Sequence, residues 1–255
     1  MEFDPTYNTL MAVGVGLSLV LLAALGRRFV SGSPVHRQAW AAPFLAVGAI
    51  LTFLGGVMTV TWPLTGPVAF DNIVFGEPTL ACGVLLLAGG FLLGSDRFWR
   101  KSDTGAVAGY APESISTESW ARLSTLFQPL SWFAFVMGLA LVSIAFVGPF
   151  FTPWEAPPTE PISGEFANVE WLENSFISLL YLVIAVGCLL LPFALSRTLE
   201  RAKGLLRVIG IAWAISGIVL TLFGSMNFYT HIGLTINTYE ESQQQTDAEA
   251  TIPSE

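Results

Sequence analysis

The chain alternates long uninterrupted apolar runs with short polar connections. About 20 consecutive apolar residues in helical form are needed to cross the roughly 30 Å of hydrocarbon in a bilayer. Each run is expected to be a helix, because backbone groups cannot bond to water inside the hydrocarbon. The pattern predicts an all-α integral membrane protein, a bundle of six transmembrane helices, at about 9–26, 41–62, 75–94, 130–151, 176–195 and 205–228.

Composition supports this interpretation and narrows the class of protein. Of all residues 53% are apolar and only 12% are charged, whereas soluble domains are about 25% charged. The charged residues within the six runs are Glu77, two residues into the third, and Arg207, two residues into the sixth. These proportions exclude an ordinary soluble enzyme.

Basic residues indicate how the bundle is oriented. If six helices span the bilayer, all 11 Lys and Arg residues fall in or beside the connections on one side. By the positive-inside rule that side faces the cytoplasm. We therefore predict a multi-pass protein of the cell (cytoplasmic) membrane, surrounded by the lipid bilayer, with the N- and C-termini outside.

The segments outside the membrane differ in character. We expect a transmembrane domain over 1–238 and an acidic disordered tail over 239–255, which has almost no apolar residues. The proline- and glutamate-rich outer loop 153–174 should be extended and solvated. The polar cytoplasmic loop 102–121 should end in a short interfacial helix at 118–126.

The outer side carries most of the 19 acids and no basic residue. Salt at about 1 M screens such repulsion to a few Å, so the sequence favours an archaeal, halophilic source. The alternative is that the positive-inside rule alone removed Lys and Arg from the outer loops. No basic outer patch is available for nucleic acid, and the inner basic residues are expected to contact anionic lipids.

The loop between the second and third helices contains the most distinctive motifs. It begins with TWPLTGP at Thr61 and continues with NIVFGEP at Asn72. These motifs resemble the TWPLxG and NIxFGEP signature of an uncharacterised family of archaeal and actinobacterial integral membrane proteins, domain of unknown function 981. The resemblance covers mainly 41–94, more loosely the fourth helix, and neither the acidic outer loop nor the tail. It implies a membrane fold and an archaeal source and transfers no catalytic residue.

This loop has two interpretations. In the first, Glu77 and Pro78 start the third helix, with the acid next to the positive end of the helix dipole, and Trp62 is an interfacial anchor. In the second, Trp62, Asp71, Asn72 and Glu77 line an outward-facing pocket or a contact site for another subunit.

A metal or redox centre has little support in the sequence. His36 and His231 would lie on opposite sides of the membrane, so bis-histidine haem ligation within one chain is not available. A copper or zinc site would need His231 joined by Glu77, Asp71 or Met226. No HExxH, P-loop or Ser-His-Asp pattern is present. We therefore predict no enzymatic activity, no catalytic residue, no metal and no cofactor, and keep His231 as a weak ligand candidate.

A faint internal repeat is also visible. The second helix exits through 61–63 and the fourth through 152–154, both with Thr, Pro and Trp, and an acid follows each loop at Glu77 and Glu173. The match is only a few residues deep, so a duplicated helical hairpin and chance are both open as explanations. It is not the inverted repeat of a transporter.

The function expected from these features is that of a non-enzymatic polytopic membrane protein. It would be an accessory or scaffold subunit of a membrane assembly, or a small sensor. Its partner would be another membrane protein or a second copy of the chain, and not a nucleic acid. The alternative is a channel or carrier for a small neutral solute, since the runs lack the buried ionisable groups that ion coupling uses. A metal-dependent redox protein is less favoured.

Overall fold

A computed structural model describes residues 8–95 and 117–250, and its secondary structure there is helical. The α-helices are α1 (Asn8–Ser31), α2 (Arg37–Thr61), α3 (Glu77–Gly94), α4 (Thr117–Ala145), α5 (Val147–Phe151), α6 (Glu170–Leu195) and α7 (Leu199–Ala250). A π-helix, Asn72–Gly76, leads directly into α3. In the described ranges, six helical segments are long and apolar enough to cross a membrane, with α4 and α5 forming one of them. The predicted all-α fold with six such helices is confirmed.

The bundle presents apolar side chains outward as well as inward. Phe53, Val60, Phe91 and Leu222 are large and exposed on its surface. A soluble monomer rarely exposes so much apolar surface, whereas hydrocarbon chains would cover it. An exposed surface of this kind fits a multi-pass membrane protein.

Three antiparallel helix pairs make up the bundle: α2 with α3, α4 with α6, and α1 with α7. Small residues allow the close approach in each pair. A Cβ atom added at Gly48 would lie 2.9 Å from the backbone nitrogen of Leu87, and one at Gly217 would lie 2.8 Å from the carbonyl oxygen of Gly16. Substitution at either position would push the paired helices apart.

The start of α4 differs from the prediction. The residues assigned to a short interfacial helix at 118–126 belong instead to the continuous helix α4. Trp120 and Leu123 are buried in the main core of the bundle. Because these two side chains pack inside the bundle, the segment continues the spanning helix although polar residues flank it. Residues 102–116 of the predicted cytoplasmic loop lie outside the described part of the chain.

The outer loop is folded, which contradicts the expectation that 153–174 is extended and solvated. Ser163–Phe166 forms a 3-10 helix, and α6 already begins at Glu170. Trp154 and Glu160 are buried, with exposed fractions of 6% and 9%. Prolines restrict the backbone here without keeping it in solvent, because buried side chains hold the loop onto the bundle.

The C-terminal segment also differs from the prediction. Residues 239–250 continue α7 as helix instead of forming a disordered tail, and residues 251–255 lie outside the described ranges. Glu, Gln and Ala are strong helix formers, and extending an existing helix avoids the unfavourable step of nucleating a new one.

The two ends of the bundle carry opposite charge. The links 32–36 and 196–198 lie at one end, and every described Lys and Arg lies toward it, so we call it the basic end. The links 62–71 and 152–169 lie at the opposite, acidic end. This separation is the one that the connection charges predicted.

Candidate functional site: a central apolar cavity

The centre of the bundle contains a cavity of about 320 Å³. Its walls come from α1, α3, α4, α6 and α7, with Phe44 contributed by α2. Pockets of about 300 to 1,000 Å³ are the size at which proteins bind small molecules. The cavity lies where the three helix pairs meet and leave the bundle axis unfilled.

The cavity is long as well as large. One face of α1 lines it from Asn8 at the acidic end to Phe29 near the basic end, through Met11, Val15 and Leu22. At 1.5 Å per residue this stripe is about 31 Å long, close to the thickness of bilayer hydrocarbon. The shape suits an extended chain rather than a compact solute.

Four polar side chains in the wall donate hydrogen bonds to backbone carbonyl oxygens: Trp120 to Arg197 at 2.9 Å, Trp213 to Ile184 at 3.2 Å, Tyr181 to Val74 at 2.8 Å and Ser131 to Gln128 at 2.6 Å. Their ring and methylene surfaces therefore face the interior. A guest molecule meets an almost entirely apolar wall.

The acidic end of the cavity is an exception. Asn8 and Asn227 both line it there. The Oδ1 atom of Asn8 is inaccessible to solvent and has no hydrogen-bond partner, and Asn227 is 9% exposed. An unsatisfied buried carbonyl oxygen is unfavourable by about 1 to 3 kcal/mol, and because this oxygen is inaccessible to a water-sized molecule it does not face the cavity.

Residues 1–233 match the sequence profile of the family described as "Protein of unknown function (DUF981)". The chain belongs to this family. The match confirms the resemblance drawn from the loop motifs, and it is wider than expected because it includes the acidic outer loop and most of α7. A search of curated proteins and a search of solved structures each gave no match to this DUF981 chain.

A charged and polar cluster covers the acidic end. His231 lies one helical turn beyond Asn227 on α7, and its Nε2 atom is 3.6 Å from Oε1 of the buried Glu160. The other ring nitrogen, Nδ1, is 3.1 Å from Oγ1 of Thr9 on α1. Asn237 also donates through Nδ2 to the carbonyl oxygen of Thr159 at 2.7 Å. These contacts fasten the outer loop to the α1 and α7 pair directly above the cavity.

Asp71 is the most perturbed acid outside the spanning segments. Burial raises its pKa to about 7, the nearby indole N–H of Trp154 opposes the shift, and the carboxylate of Glu173 adds to it. Neither Oδ1 of Asp71 nor Nε1 of Trp154 makes a hydrogen bond of ordinary geometry. Neither residue lines the cavity.

Asn72 has a structural role in this DUF981 fold. Its Oδ1 accepts a hydrogen bond from the Leu64 backbone at 3.2 Å, and its Nδ2 donates to the carbonyl oxygens of Leu64 at 2.8 Å and Ala69 at 2.9 Å. The side chain is buried. The residue therefore clamps the α2–α3 turn and has no free group for a ligand.

Asn174 forms the same clamp in the other hairpin. Its Oδ1 accepts from the Trp154 backbone at 3.1 Å, and its Nδ2 donates to the carbonyl oxygens of Trp154 at 2.9 Å and Glu170 at 2.7 Å. In both hairpins the residue whose backbone the asparagine holds, Leu64 or Trp154, directly follows a proline. That proline follows a residue with a left-handed backbone, Trp62 or Thr152. The predicted repeat is therefore present as a turn geometry.

The remaining candidates do not join one pocket. Trp62 and Glu77 are exposed at the acidic end, and Glu77 begins α3 after the π-helix rather than opening the spanning segment. In the described ranges no three His, Cys, Asp or Glu side chains are grouped as metal ligands. His231, Glu77 and Asp71 therefore do not form such a group there.

Proposed function

We propose that this DUF981 protein is a non-enzymatic, multi-pass membrane protein that holds one long apolar molecule, such as a lipid chain, in its central cavity. It would act as a lipid-binding sensor or accessory subunit of a membrane assembly. The observation that carries the proposal is the apolar cavity, which extends along most of α1.

The energy of an unfilled cavity supports an occupant. At about 24 cal/mol per Å³ an empty apolar cavity of about 320 Å³ would destabilise the protein by roughly 8 kcal/mol. That is similar to the whole net stability of a typical domain. A hydrocarbon chain removes this penalty and is the most abundant filler within a bilayer.

The lining favours an apolar occupant over a small neutral solute. A carrier or channel for a polar solute would need hydrogen-bond partners along its path, whereas Trp120, Trp213 and Tyr181 direct their donors to backbone carbonyls. The described part of the chain gives no comparable row of hydrogen-bonding groups in favour of the channel or carrier alternative.

The charge difference between the two ends supports the orientation within the proposal. With the basic end in the cytoplasm, as the positive-inside rule favours, the cluster of Glu160 and His231 faces outward. The lipid-binding cavity then has its polar end toward the outer leaflet of the cell membrane.

Two glycines of α7 allow a matched test. A Cβ added at Gly210, in the cavity wall, would have only the Ala23 carbonyl oxygen nearby, at 4.0 Å, and a Cβ at the exposed Gly204 would have no neighbour within 4 Å. The structure therefore has room for a Cβ atom in Gly210→Leu without backbone displacement, and the leucine side chain should narrow the cavity. Gly204→Leu makes the same change in helix propensity outside the cavity.

We expect the purified wild-type protein and Gly204→Leu to retain about one apolar molecule per chain, measured by native mass spectrometry and solvent extraction. Gly210→Leu should retain clearly less, since its side chain occupies part of the space that the guest needs. Equal retention by the two variants, or no bound molecule in the wild type, would contradict the proposal.

A further inference from the structure

We propose that two copies of this chain pair along the exposed face of α7 as a parallel coiled coil that continues beyond the membrane at the acidic end. The inference concerns the outside of the bundle and does not depend on what occupies the cavity. It is carried by the spacing of exposed apolar side chains on α7 and by the length of this helix.

One face of α7 carries a regular row of exposed side chains. Successive members are alternately four and three residues apart from Ile211 to Tyr239, and every member except Ser225 is a large apolar or aromatic residue. The large members are each 53–66% exposed. We call them the α7 stripe: Ile211, Ile215, Ile218, Leu222, Tyr229, Ile232, Ile236 and Tyr239. Alternation of four and three is the heptad spacing of a coiled-coil seam.

The outer part of the stripe lies where hydrocarbon no longer covers it. About 33 Å of helix, at 1.5 Å per residue, separates the exposed Arg207 near the basic end from Tyr229, which already matches the thickness of bilayer hydrocarbon. Beyond Tyr229 the helix runs beside the outer loop, where Asn237 donates to the carbonyl oxygen of Thr159. Ile232, with its neighbours in the stripe, would therefore face water in a single chain.

The heptad spacing carries weight in this outer part. Within hydrocarbon an outward-facing residue is apolar whether or not it meets another helix. From Tyr229 to Gln245, however, the exposed apolar side chains all belong to the stripe, and the other exposed positions are polar. A narrow apolar seam between polar flanks is the pattern of a helix that pairs with another helix in water.

The charges and the membrane favour an identical helix as the partner. No Lys, Arg, Asp or Glu occurs between Arg207 and Glu240, so two copies of the stripe meet without opposing like charges. The flanking charges that select a different partner in other coiled coils are absent from this segment. Copies inserted in one direction have parallel α7 helices, and a two-fold axis along the membrane normal places each stripe residue opposite its own counterpart.

The stripe is also large enough for a stable dimer. At about 100 Å² for each large side chain, it would bury roughly 800 Å² per copy, the size of a standard stable interface. Other faces of α7 pack against α1 and α6 within the chain. Pairing along the stripe therefore leaves the packing inside each bundle unchanged.

Cysteine cross-linking of the full chain in native membranes tests the pairing. In a background with Cys82→Ala and Cys188→Ala, we expect Ile232→Cys and Ile236→Cys each to form a disulfide-linked dimer on mild oxidation, because matching seam positions of two parallel helices face each other. The control is Glu241→Cys, which is exposed on the same helix but lies opposite the seam. It should cross-link at least about tenfold less, since its counterpart is on the far side of the pair.

Two copies with different tags identify the partner. When both are expressed in one cell, purification through the first tag should recover the second tag in the cross-linked band. Cross-linking of Ile232→Cys or Ile236→Cys to a different protein would overturn the inference. So would cross-linking of Glu241→Cys to the same extent, or the absence of a dimer at both stripe positions.

A charge on the stripe gives an independent measure. Ile236→Glu places two carboxylates opposite each other across the seam, so we expect it to weaken dimer formation at least about tenfold. Asn168→Glu, at an exposed position of the outer loop, adds the same charge outside the stripe and should leave the dimer intact. Native mass spectrometry of the purified proteins measures the dimer fraction.

The same spectra keep the two proposals apart. Ile236→Glu should become monomeric and still retain the apolar molecule of the cavity, whereas Gly210→Leu should lose that molecule and stay dimeric. If Ile236→Glu dimerises as well as the wild type, or if the wild type is monomeric, this inference is rejected and the proposed function is unaffected. A dimer without a bound apolar molecule would reject the proposed function alone.

Discussion

At the scale of single residues, Asp71 shows most directly how burial changes chemistry in this protein. Its pKa lies well above the ordinary value of 3.8, at about 7. The folded protein therefore holds a proton at pH values where the unfolded chain has released it. The stability that this proton contributes is fully present below about pH 4 and is lost as the pH rises to about 7.

Asp71→Asn should remove this pH dependence. Because the amide stays neutral, the variant should melt at a higher temperature than the wild type at pH 8 and at nearly the same temperature at pH 4. The rise of the Asp71 pKa from 3.8 to about 7 corresponds to at most about 4 kcal/mol of stability. Thermal unfolding in detergent at both pH values measures the difference.

The control is Glu77→Gln, which removes an exposed carboxylate from the same end of the bundle and should change stability by about 1 kcal/mol or less. If the melting temperatures of Asp71→Asn and the wild type change in parallel between pH 4 and pH 8, the Asp71 carboxyl is already ionised in the folded protein.

Sequence reasoning found some of these residues and missed others for an identifiable reason. Asp71 and Asn72 stand out because they are polar residues next to an apolar run. Glu160 and Asn174 do not stand out, because they lie in or beside a loop already rich in acids and prolines. Their importance comes from burial, which depends on how the loop folds back onto α7.

At the scale of elements, the two hairpin turns repeat one design with different residues. The sequence suggested a repeat through Glu77 and Glu173, but the structure pairs Asn72 with Asn174. Where the two helices of each hairpin cross, a glycine of one helix contacts a larger side chain of the other, and the glycine changes sides between the hairpins. Met58 faces Gly76 in one hairpin, and Gly148 faces Ser178 in the other. Complementary replacement of this kind hides a repeat from direct comparison of residues.

Removal of either clamp should destabilise the protein strongly. Asn72→Ala and Asn174→Ala each leave buried backbone groups without partners, at about 1 to 3 kcal/mol for each group, so each should lower the free energy of unfolding by at least about 2 kcal/mol. Asn168→Ala, at an exposed position of the outer loop, is the matched control. Thermal unfolding of the three variants tests this, and a clamp variant as stable as the control would mean that the turn does not depend on its asparagine.

At the scale of the whole molecule, the number of spanning helices was predictable and the cavity was not. Long apolar runs are required wherever a helix crosses hydrocarbon. A side chain that faces an internal cavity and one that faces lipid are both apolar, so Leu22 in the wall and Leu222 on the surface look alike in the sequence. Only the packing of three helix pairs around an open axis distinguishes them.

Orientation is the prediction that belongs to this scale. In a background with Cys82→Ala and Cys188→Ala, a cysteine introduced at Glu165 on the acidic end should react with a membrane-impermeant maleimide in intact cells. One introduced at Thr198 on the basic end should react only after the cells are permeabilised. Both positions are exposed, so accessibility within the fold is matched. The reverse labelling pattern would invert the assignment based on the positive-inside rule.

The pairing of α1 with α7 also bears on how the protein is made. Of the described apolar helices, α1 is made earliest and α7 latest, and the two pack together through Gly16 and Gly217. This pair can therefore form only after the helices between them have been made. Because both α1 and α7 line the cavity, the cavity takes its final shape only in this last packing step.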